Sequence, residues 1–235
     1  MTSGFLHQEI EVYRAVQAPF MPAFLGADTG DPPFLVLEDL SGRFTAPPWT
    51  EAKIAAVLEL VEQLRSTPAP AELGSAERYR ADWTHRWHRV EADPEPFLSL
   101  GLCSRDWLRD ALPQLSAAAE AVRLGGDVLV HTDIRSDNLA FVDGAAKLVD
   151  WNWACGGHSL FDLAAWLPSL HAEGGPPPEK LMPTGGAELA AMLAGVWAAV
   201  AGLPPPPTAP RVRDAQIAQL RIALAWAARE LGLRL

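Results

Sequence analysis

Hydrophobic residues recur every three or four positions through much of this 235-residue chain, which is the spacing of a helix with one buried face. The first such stretch, residues 5–17, ends before Pro19, and the second follows Thr50, a residue type that favours a helix N-terminus. Five more stretches follow. We therefore predict helices over residues 5–17, 51–64, 75–91, 105–124 with a break at Pro113, 161–170, 187–203 and 212–231.

Short apolar runs between turn residues predict strands over residues 34–37, 128–130, 139–142 and 146–149. The last two runs are separated by Asp143 and Gly144, and Asp-Gly is a strong signal for a β-hairpin turn. Asn138 comes just before the first strand of this hairpin, and Asp150 comes just after the second. If the strands pair, both side chains lie at the same end of the hairpin.

Oxygen-bearing side chains therefore gather around this hairpin. Asn138 and Asp150 offer an amide oxygen and a carboxylate, and Mg²⁺ takes one or two carboxylates together with neutral oxygens, water and phosphate. Asp133 lies on the preceding loop, where Arg135 is its only cationic neighbour in sequence, and could accept or orient the proton of a hydroxyl. Any one of these residues alone would be a turn former. The ordered set indicates a catalytic site.

The segments HTDIRSDN, VDWNWA and FDLAAW resemble the aminoglycoside phosphotransferases and related small-molecule kinases. The catalytic loop of such kinases reads H-x-D-x-x-x-x-N and is followed by a hairpin and a metal-binding Asp. The resemblance implies that Asp133 is the catalytic base and that Asn138 and Asp150 hold Mg²⁺. It further implies that Asp162 braces the catalytic loop (residues 131–138) and that His131 fixes this loop by packing and hydrogen bonding.

Three further roles follow from the same resemblance. Arg135 would neutralise charge on the transferred phosphate, with a surface position as the alternative. Glu9 would be the helix glutamate that pairs with a phosphate-binding Lys, with a solvated helix position as the alternative. The segment LVLEDLSG is similar to the hinge between the lobes, which contacts the adenine of the nucleotide. Its contact residues would be Leu37, Glu38, Asp39 and Leu40.

The resemblance implies an α+β, protein-kinase-like fold of two lobes. Residues 1–40 would form a partial N-lobe with an incomplete nucleotide-binding sheet, and residues 41–235 would form a helical C-lobe that carries the catalytic hairpin. The implied activity is transfer of the γ-phosphoryl group of ATP or GTP to a hydroxyl of a small molecule, with Mg²⁺ as the metal. Aminoglycosides are one class of acceptor among several metabolites.

One part of the family pattern is missing from the sequence. No Gly-rich loop and no Lys precede Glu9, because the lysines are Lys53, Lys147 and Lys180. We therefore expect either that Met1 is not the natural start or that the small lobe has lost strands. The alternative function is a kinase-like pseudoenzyme, or a nucleotide- or small-molecule-binding protein, that lacks turnover.

The composition of the chain limits the classes of partner and the cellular compartment that we expect. Nineteen Lys and Arg against 29 Asp and Glu give a net charge of −10, which argues against a nucleic acid as the partner. Cys103 and Cys155 are far apart and predict neither a disulfide framework nor a zinc site. The N-terminus lacks the basic start of a signal peptide, and the most apolar run, residues 189–203, is too short to span a membrane. A cytoplasmic protein without a membrane partner is expected, and its oligomeric state stays open.

Overall fold

The computed structural model describes residues 3–235 and contains helices, short strands and 3₁₀ turns within them. The helices are α1 Ser3–Ala15, α2 Glu51–Arg65, α3 Arg80–Thr84, α4 Arg86–Ala92, α5 Glu95–Leu98, α6 Arg105–Ala121, α7 Phe161–Ala172, α8 Pro178–Leu181, α9 Ala187–Ala198 and α10 Val212–Glu230. The strands are β1 Phe24–Asp28, β2 Phe34–Leu37, β3 Val128–Val130, β4 Leu139–Val142, β5 Ala145–Leu148 and β6 Cys155–Gly157. The 3₁₀ turns are Ala71–Leu73, Ala76–Tyr79 and Ser136–Asn138.

The described residues form two compact units. The first unit comprises the residues up to Glu77, Leu124–Trp166 and Glu173–Gly175. The second comprises Arg78–Arg123, Leu167–Ala172 and Pro176–Leu235. All the strands belong to the first unit, so every residue of the predicted catalytic hairpin lies there.

The hairpin of β4 and β5 has the connection that the sequence predicts. The strands pair antiparallel along their whole length, and β5 starts one residue before the predicted range 146–149. Asp143 and Gly144 both have a positive φ, 50° and 85°, which a tight two-residue hairpin turn requires. Asn138 and Asp150 therefore flank the same end of this hairpin.

The other two sheets of the first unit are also two-stranded and antiparallel, β1 with β2 and β3 with β6. The prediction of β2 is confirmed, but β1 and β6 were not predicted. The β6 strand is Cys-Gly-Gly, so it carries no pattern of side chains. Its glycines have a packing reason, because a Cβ on Gly157 would lie 2.6 Å from Val130 Cγ2.

Helix α2 and the strands supply much of the core of the first unit. Thr50 precedes the first residue of α2, and its hydroxyl accepts a hydrogen bond from the backbone N–H of Lys53 at 3.3 Å. This is the N-cap that the sequence predicts. The fully buried side chains of the first unit include Ile10, Leu60, Leu64, Leu129, Trp151 and Trp166.

The second unit is helical and packs around α9. Trp87 of α4 is fully buried and donates its indole N–H to the carbonyl of Ala191 at 2.8 Å. A Cβ on Gly195 would lie 2.7 Å from the Trp87 Nε1, so glycine is needed for this close approach. Between residues 3 and 235, no helix is long and apolar enough to cross a membrane.

Two helix predictions are wrong in detail. The predicted break at Pro113 is absent, and α6 is continuous through it. Pro113 is exposed, so water can satisfy the carbonyl that its missing N–H leaves free. The single helix predicted over residues 75–91 is instead a 3₁₀ turn followed by α3 and α4. The hydroxyl of Thr84 donates to the carbonyl of Arg80 at 2.9 Å, a contact that commonly bends helices, and α3 ends there.

Candidate active site

The catalytic loop is anchored at its start by Asp162, in the first turn of α7. The two carboxylate oxygens of Asp162 accept the backbone N–H groups of His131 at 2.8 Å and Thr132 at 2.7 Å. These bonds hold Thr132 at a φ of 72°, which side-chain-bearing residues rarely adopt. Burial raises the pKa of Asp162 to about 6, although the two backbone donors act in the opposite direction. Asp162 thus lies where a brace of the loop is expected.

His131 connects the loop to the end of β5. Its Nδ1 accepts the backbone N–H of Asp133 at 3.2 Å, so its Nε2 is the atom that donates to the carbonyl of Val149 at 3.0 Å. The ring lies edge-on to Trp151, with ring centroids 4.7 Å apart. Burial lowers the pKa of His131 to about 4. The imidazole is therefore neutral near pH 7 and acts as a fixed connector between the two halves of the site.

Asp133 and Asn138 are joined by hydrogen bonds. The amide nitrogen of Asn138 donates to the Asp133 carbonyl at 2.9 Å and lies 3.3 Å from its carboxylate oxygen Oδ2. Arg135 approaches the other oxygen, with its Nε 3.4 Å from Asp133 Oδ1, and its NH2 group donates to Asp137 at 3.1 Å. Burial raises the pKa of Asp133, and the charge of Arg135 opposes that rise.

Asp150 adds the second carboxylate from the far end of the hairpin. Its φ is 66°, so the chain turns sharply at this residue. Its Oδ1 accepts the side-chain N–H of Asn152 at 2.7 Å. Burial raises the pKa of Asp150, and the negative charge of Asp133 raises it further. Asn152 was not singled out in the sequence, although an amide two residues from an Asp at a turn is a recognisable pattern.

Glu9 of α1 lies against the backbone next to Asp150. It is buried, and its Oε1 accepts the N–H of Trp151 at 3.2 Å. Burial raises the pKa of Glu9, the bond from Trp151 lowers it, and the charge of Asp150 raises it. Within residues 3–235 no Lys or Arg forms an ion pair with Glu9. Here its contact is with the turn that carries Asp150.

The side chain of Glu38 joins three segments. Its Oε2 accepts the N–H of Ala23 at 3.0 Å and the ammonium of Lys147 at 2.5 Å. Lys147 lies in β5, and its hydrogen bond is the main cause of the lowered pKa of Glu38. Lys147 was not predicted as a site residue, because nothing local in the sequence relates it to Glu38. The bond connects the predicted hinge to the catalytic hairpin.

The remaining hinge residues differ in exposure. Asp39 accepts the N–H of Ser41 at 2.9 Å in a local turn. The pKa of Asp39 is lowered first by hydrogen bonding from the side chain of Ser41 and then by this backbone bond. Leu40 is buried, and Leu37 is half-buried at the end of β2. The side chains of Leu37 and Leu40 are thus turned at least partly inward.

The oxygen donors at the end of the hairpin fit a hard divalent cation. Asn138 uses its amide nitrogen on Asp133, which leaves its amide oxygen for another partner. Asp150 uses one oxygen on Asn152 and keeps the second. A cation would also relieve the repulsion between the two carboxylates that raises the pKa of Asp150. One carboxylate and one amide oxygen, completed by water and phosphate, are a typical Mg²⁺ environment.

Residues 3–203 match the phosphotransferase enzyme family. The chain belongs to this family. An apo crystal structure of a thermostable mutant of aminoglycoside phosphotransferase APH(4)-Ia has a TM-score of 0.55 and 19% identity, covering 95% of this chain and 84% of that one. A ternary complex of such a mutant with ADP and hygromycin B has a TM-score of 0.50 and 18% identity, covering 97% and 81%. Comparison with curated protein sequences gave no significant match.

Family membership confirms the resemblance drawn from the three sequence segments and the enzyme class, a phosphotransferase of the kinase type. The likeness to the solved structures confirms the α+β, protein-kinase-like fold. The roles of the individual site residues, the metal ion and the acceptor stay predictions.

Proposed function

We propose that this phosphotransferase moves the γ-phosphoryl group of ATP or GTP to a hydroxyl of a small molecule. The observation that carries the proposal is the arrangement of Asp133, Asn138 and Asp150 around one end of the β4–β5 hairpin. The structurally similar aminoglycoside phosphotransferase was crystallised with ADP and hygromycin B, which supports a nucleotide and a hydroxylated acceptor as the ligand classes.

In this proposal Asn138 and Asp150 hold Mg²⁺ through the oxygens that their contacts with Asp133 and Asn152 leave available. When bound, the metal would neutralise charge on the nucleotide phosphates. The chain itself contributes the fixed geometry. Glu9 supports the turn at Asp150 through the N–H of the next residue.

Asp133 is assigned to the acceptor hydroxyl, which it orients and whose proton it receives. Its partial burial raises its pKa, and a carboxylate with a higher pKa is a stronger base. Arg135 lies beside it, with its guanidinium between Asp133 and Asp137. From there it would offset negative charge that develops during transfer.

We assign the adenine to the hinge segment, with the side chain of Leu37 flanking the base and the backbone of Glu38, Asp39 and Leu40 as its other contacts. The backbone N–H of Glu38 already donates to the carbonyl of Ala23 at 2.9 Å. The contact of Glu38 with the base would therefore use its carbonyl.

Replacing Asp133 by Asn tests the assignment. The amide keeps the shape but cannot accept the proton, so phosphoryl transfer should fall by about 10²- to 10⁴-fold while nucleotide affinity stays within about threefold. Transfer is followed over a panel of amino sugars and choline-like alcohols, and affinity by calorimetry. Asp143→Asn, an exposed change in the hairpin turn that Asn also favours, is the matched control. Equal loss of transfer and of affinity would contradict the role of Asp133.

A kinase-like binding protein without turnover is the second candidate function. The observation that favours it is Glu9, which forms no ion pair with Lys or Arg in the described part of the chain. Saturable binding of MgATP without transfer to any member of the acceptor panel, and without hydrolysis, would support this candidate over the first.

A further inference from the structure

The carboxylate of Glu173, just after the last residue of α7, bonds two segments that are far apart in sequence. Its Oε1 accepts the hydroxyl of Ser136 at 2.7 Å, and its Oε2 accepts the indole N–H of Trp49 at 2.8 Å. We propose that Glu173 is a positioning residue for phosphoryl transfer, which holds Asp133 and Asn138 in place by fixing Ser136 between them. This inference rests on the function proposed above.

The location of Ser136 makes this contact relevant to the chemistry. Ser136 opens the 3₁₀ turn that ends at Asn138, and it is nearly buried. The backbone N–H of Asn138 donates to the carbonyl of Arg135, and its side chain donates to the carbonyl of Asp133. The loop is thus closed on itself around Ser136, so a shift of Ser136 moves the base and the amide ligand together.

Asp162 and Glu173 are both carboxylates outside the loop, and they hold different parts of it. Asp162 holds the backbone at the start of the loop, at His131 and Thr132. Glu173 holds the middle of the loop, beyond Asp133. Without Glu173, the segment between Asp133 and β4 would be held from outside only at its end, where the N–H of Val149 donates to the carbonyl of Asn138 at 3.1 Å, and no bond would hold the side chain of Ser136 within the described residues.

Trp49 fixes the other side of the Glu173 carboxylate. Its ring lies edge-on to Phe141, with centroids 6.4 Å apart, and edge-on to Trp166 at 5.5 Å. Phe141 belongs to β4, the strand that begins directly after Asn138. The indole N–H is a donor in a packed ring, so it restricts where the carboxylate of Glu173 can lie.

The chemistry of these bonds predicts which substitutions keep them. A carboxylate accepts from both donors, and both bonds are short, as charge-assisted hydrogen bonds are. Gln at position 173 can accept from Trp49 with its carbonyl and donate to the Ser136 oxygen with its amide, whereas Ala can do neither. Because both oxygens of Glu173 are already bonded, the structure favours a positioning role over direct contact with a cationic acceptor.

The test compares Glu173→Ala, Glu173→Gln, Ser136→Ala and Trp49→Phe, with the exposed Glu188→Ala as the matched loss of a carboxylate. Hydrolysis of MgATP, with water as the acceptor, gives kcat and KM, and hydrogen exchange of residues 131–138 reports the loop without depending on activity. Glu173→Ala should lower kcat by about 10- to 100-fold and leave KM for MgATP within about twofold. Its loop amides should exchange faster.

Rescue by Glu173→Gln and a double variant with Ser136→Ala show whether the loss of kcat arises through the bond between Glu173 and Ser136. Glu173→Gln should recover most of kcat and of the slow exchange, and Glu188→Ala should match the wild type. Adding Ser136→Ala to Glu173→Ala should cost little more than Glu173→Ala alone, because both remove one interaction. Trp49→Phe keeps an aromatic ring and removes the N–H, so it should give a smaller loss in the same direction.

Two results would overturn the inference about Glu173 and leave the proposed function intact. One is an active wild type whose Glu173→Ala variant keeps its kcat and only melts at a lower temperature. The other is a Glu173→Ala variant whose loop exchanges as slowly as that of the wild type. A wild type that neither hydrolyses MgATP nor transfers its phosphate would instead contradict the proposed function, and with it the catalytic part of the inference.

Discussion

The β4–β5 hairpin and the β1–β2 sheet are both two-stranded and antiparallel, but different forces hold them in place. The hairpin buries Leu139 and Leu148 completely, whereas the β1–β2 sheet leaves Leu25 66% and Phe34 52% exposed. The hairpin is therefore fixed by packing around it. The predicted hinge after β2 depends more on a small number of polar bonds.

The carboxylates near each region show the same difference. Asp162 is buried and satisfies two backbone N–H groups of the catalytic loop. Asp39 is exposed and accepts one N–H within its own turn. The carboxylate of Asp162 thus supports the catalytic loop, whereas that of Asp39 only closes a local turn. Substitutions that disturb the geometry of the catalytic residues should therefore lower the free energy of unfolding more than substitutions in the hinge.

The largest expected effect is that of Asp162→Ala. The change leaves two buried N–H groups without an acceptor, which should lower the free energy of unfolding by about 2–5 kcal/mol. Asp39→Ala, which removes one bond at the surface, should leave the unfolding free energy nearly unchanged. Urea unfolding of both variants measures the difference. If the two substitutions destabilised the protein equally, the contrast between the two regions would be wrong.

The second prediction concerns how stability depends on pH, to which two buried groups of the catalytic region, His131 and Asp162, contribute in opposite directions. The pKa of His131 is lowered to about 4, so its contribution to stability is lost as the pH falls from about 6.5 to 4. The pKa of Asp162 is raised to about 6, so the folded state binds a proton more tightly and gains stability as the pH falls from about 6 to 4. Each effect amounts to roughly 3 kcal/mol, and they oppose each other.

Asp162→Asn removes one of these two opposing titrations and leaves the other. Its stability relative to the wild type should therefore decrease steadily as the pH falls from about 6 to 4. Denaturant unfolding at several pH values measures this slope. Parallel stability curves for the variant and the wild type would show that the pKa of Asp162 is not raised by folding.

The smallest expected effect concerns the bond between Glu38 and Lys147. Both side chains are partly exposed, at 30% and 19%, so water screens their interaction. Glu38→Gln or Lys147→Met should raise KM for the nucleotide by less than about fivefold and change kcat little. The exchange of charges, Glu38→Lys with Lys147→Glu, should recover part of the affinity. A loss of kcat as large as that of Asp133→Asn would show that the hinge and the hairpin are one rigid region.

The sequence predicted the hairpin and the placement of Asn138 and Asp150 at one end of it because the signals for both are local. Asp143 and Gly144 specify the turn, and the turn alone brings Asn138 and Asp150 to one end. The start of α2 was predictable for the same reason, since the cap residue and its partner are three positions apart.

The contacts that were missed connect distant positions. Glu38 and Lys147 are 109 residues apart, and Glu173 is 124 residues from Trp49. No spacing rule relates such pairs, because only the folded chain brings them together. Glu173 lies among glycines and prolines, between the predicted helices 161–170 and 187–203, where no element was predicted.

The most direct test of the central claim compares the wild type with Asp133→Asn. Transfer of the labelled γ-phosphoryl group of MgATP to the acceptor panel is measured together with the affinity for MgATP. We expect the wild type to label at least one hydroxylated acceptor and the variant to lose that transfer by at least about 100-fold with its affinity retained. Transfer by Asp133→Asn at the wild-type rate would contradict the assignment of the catalytic loop.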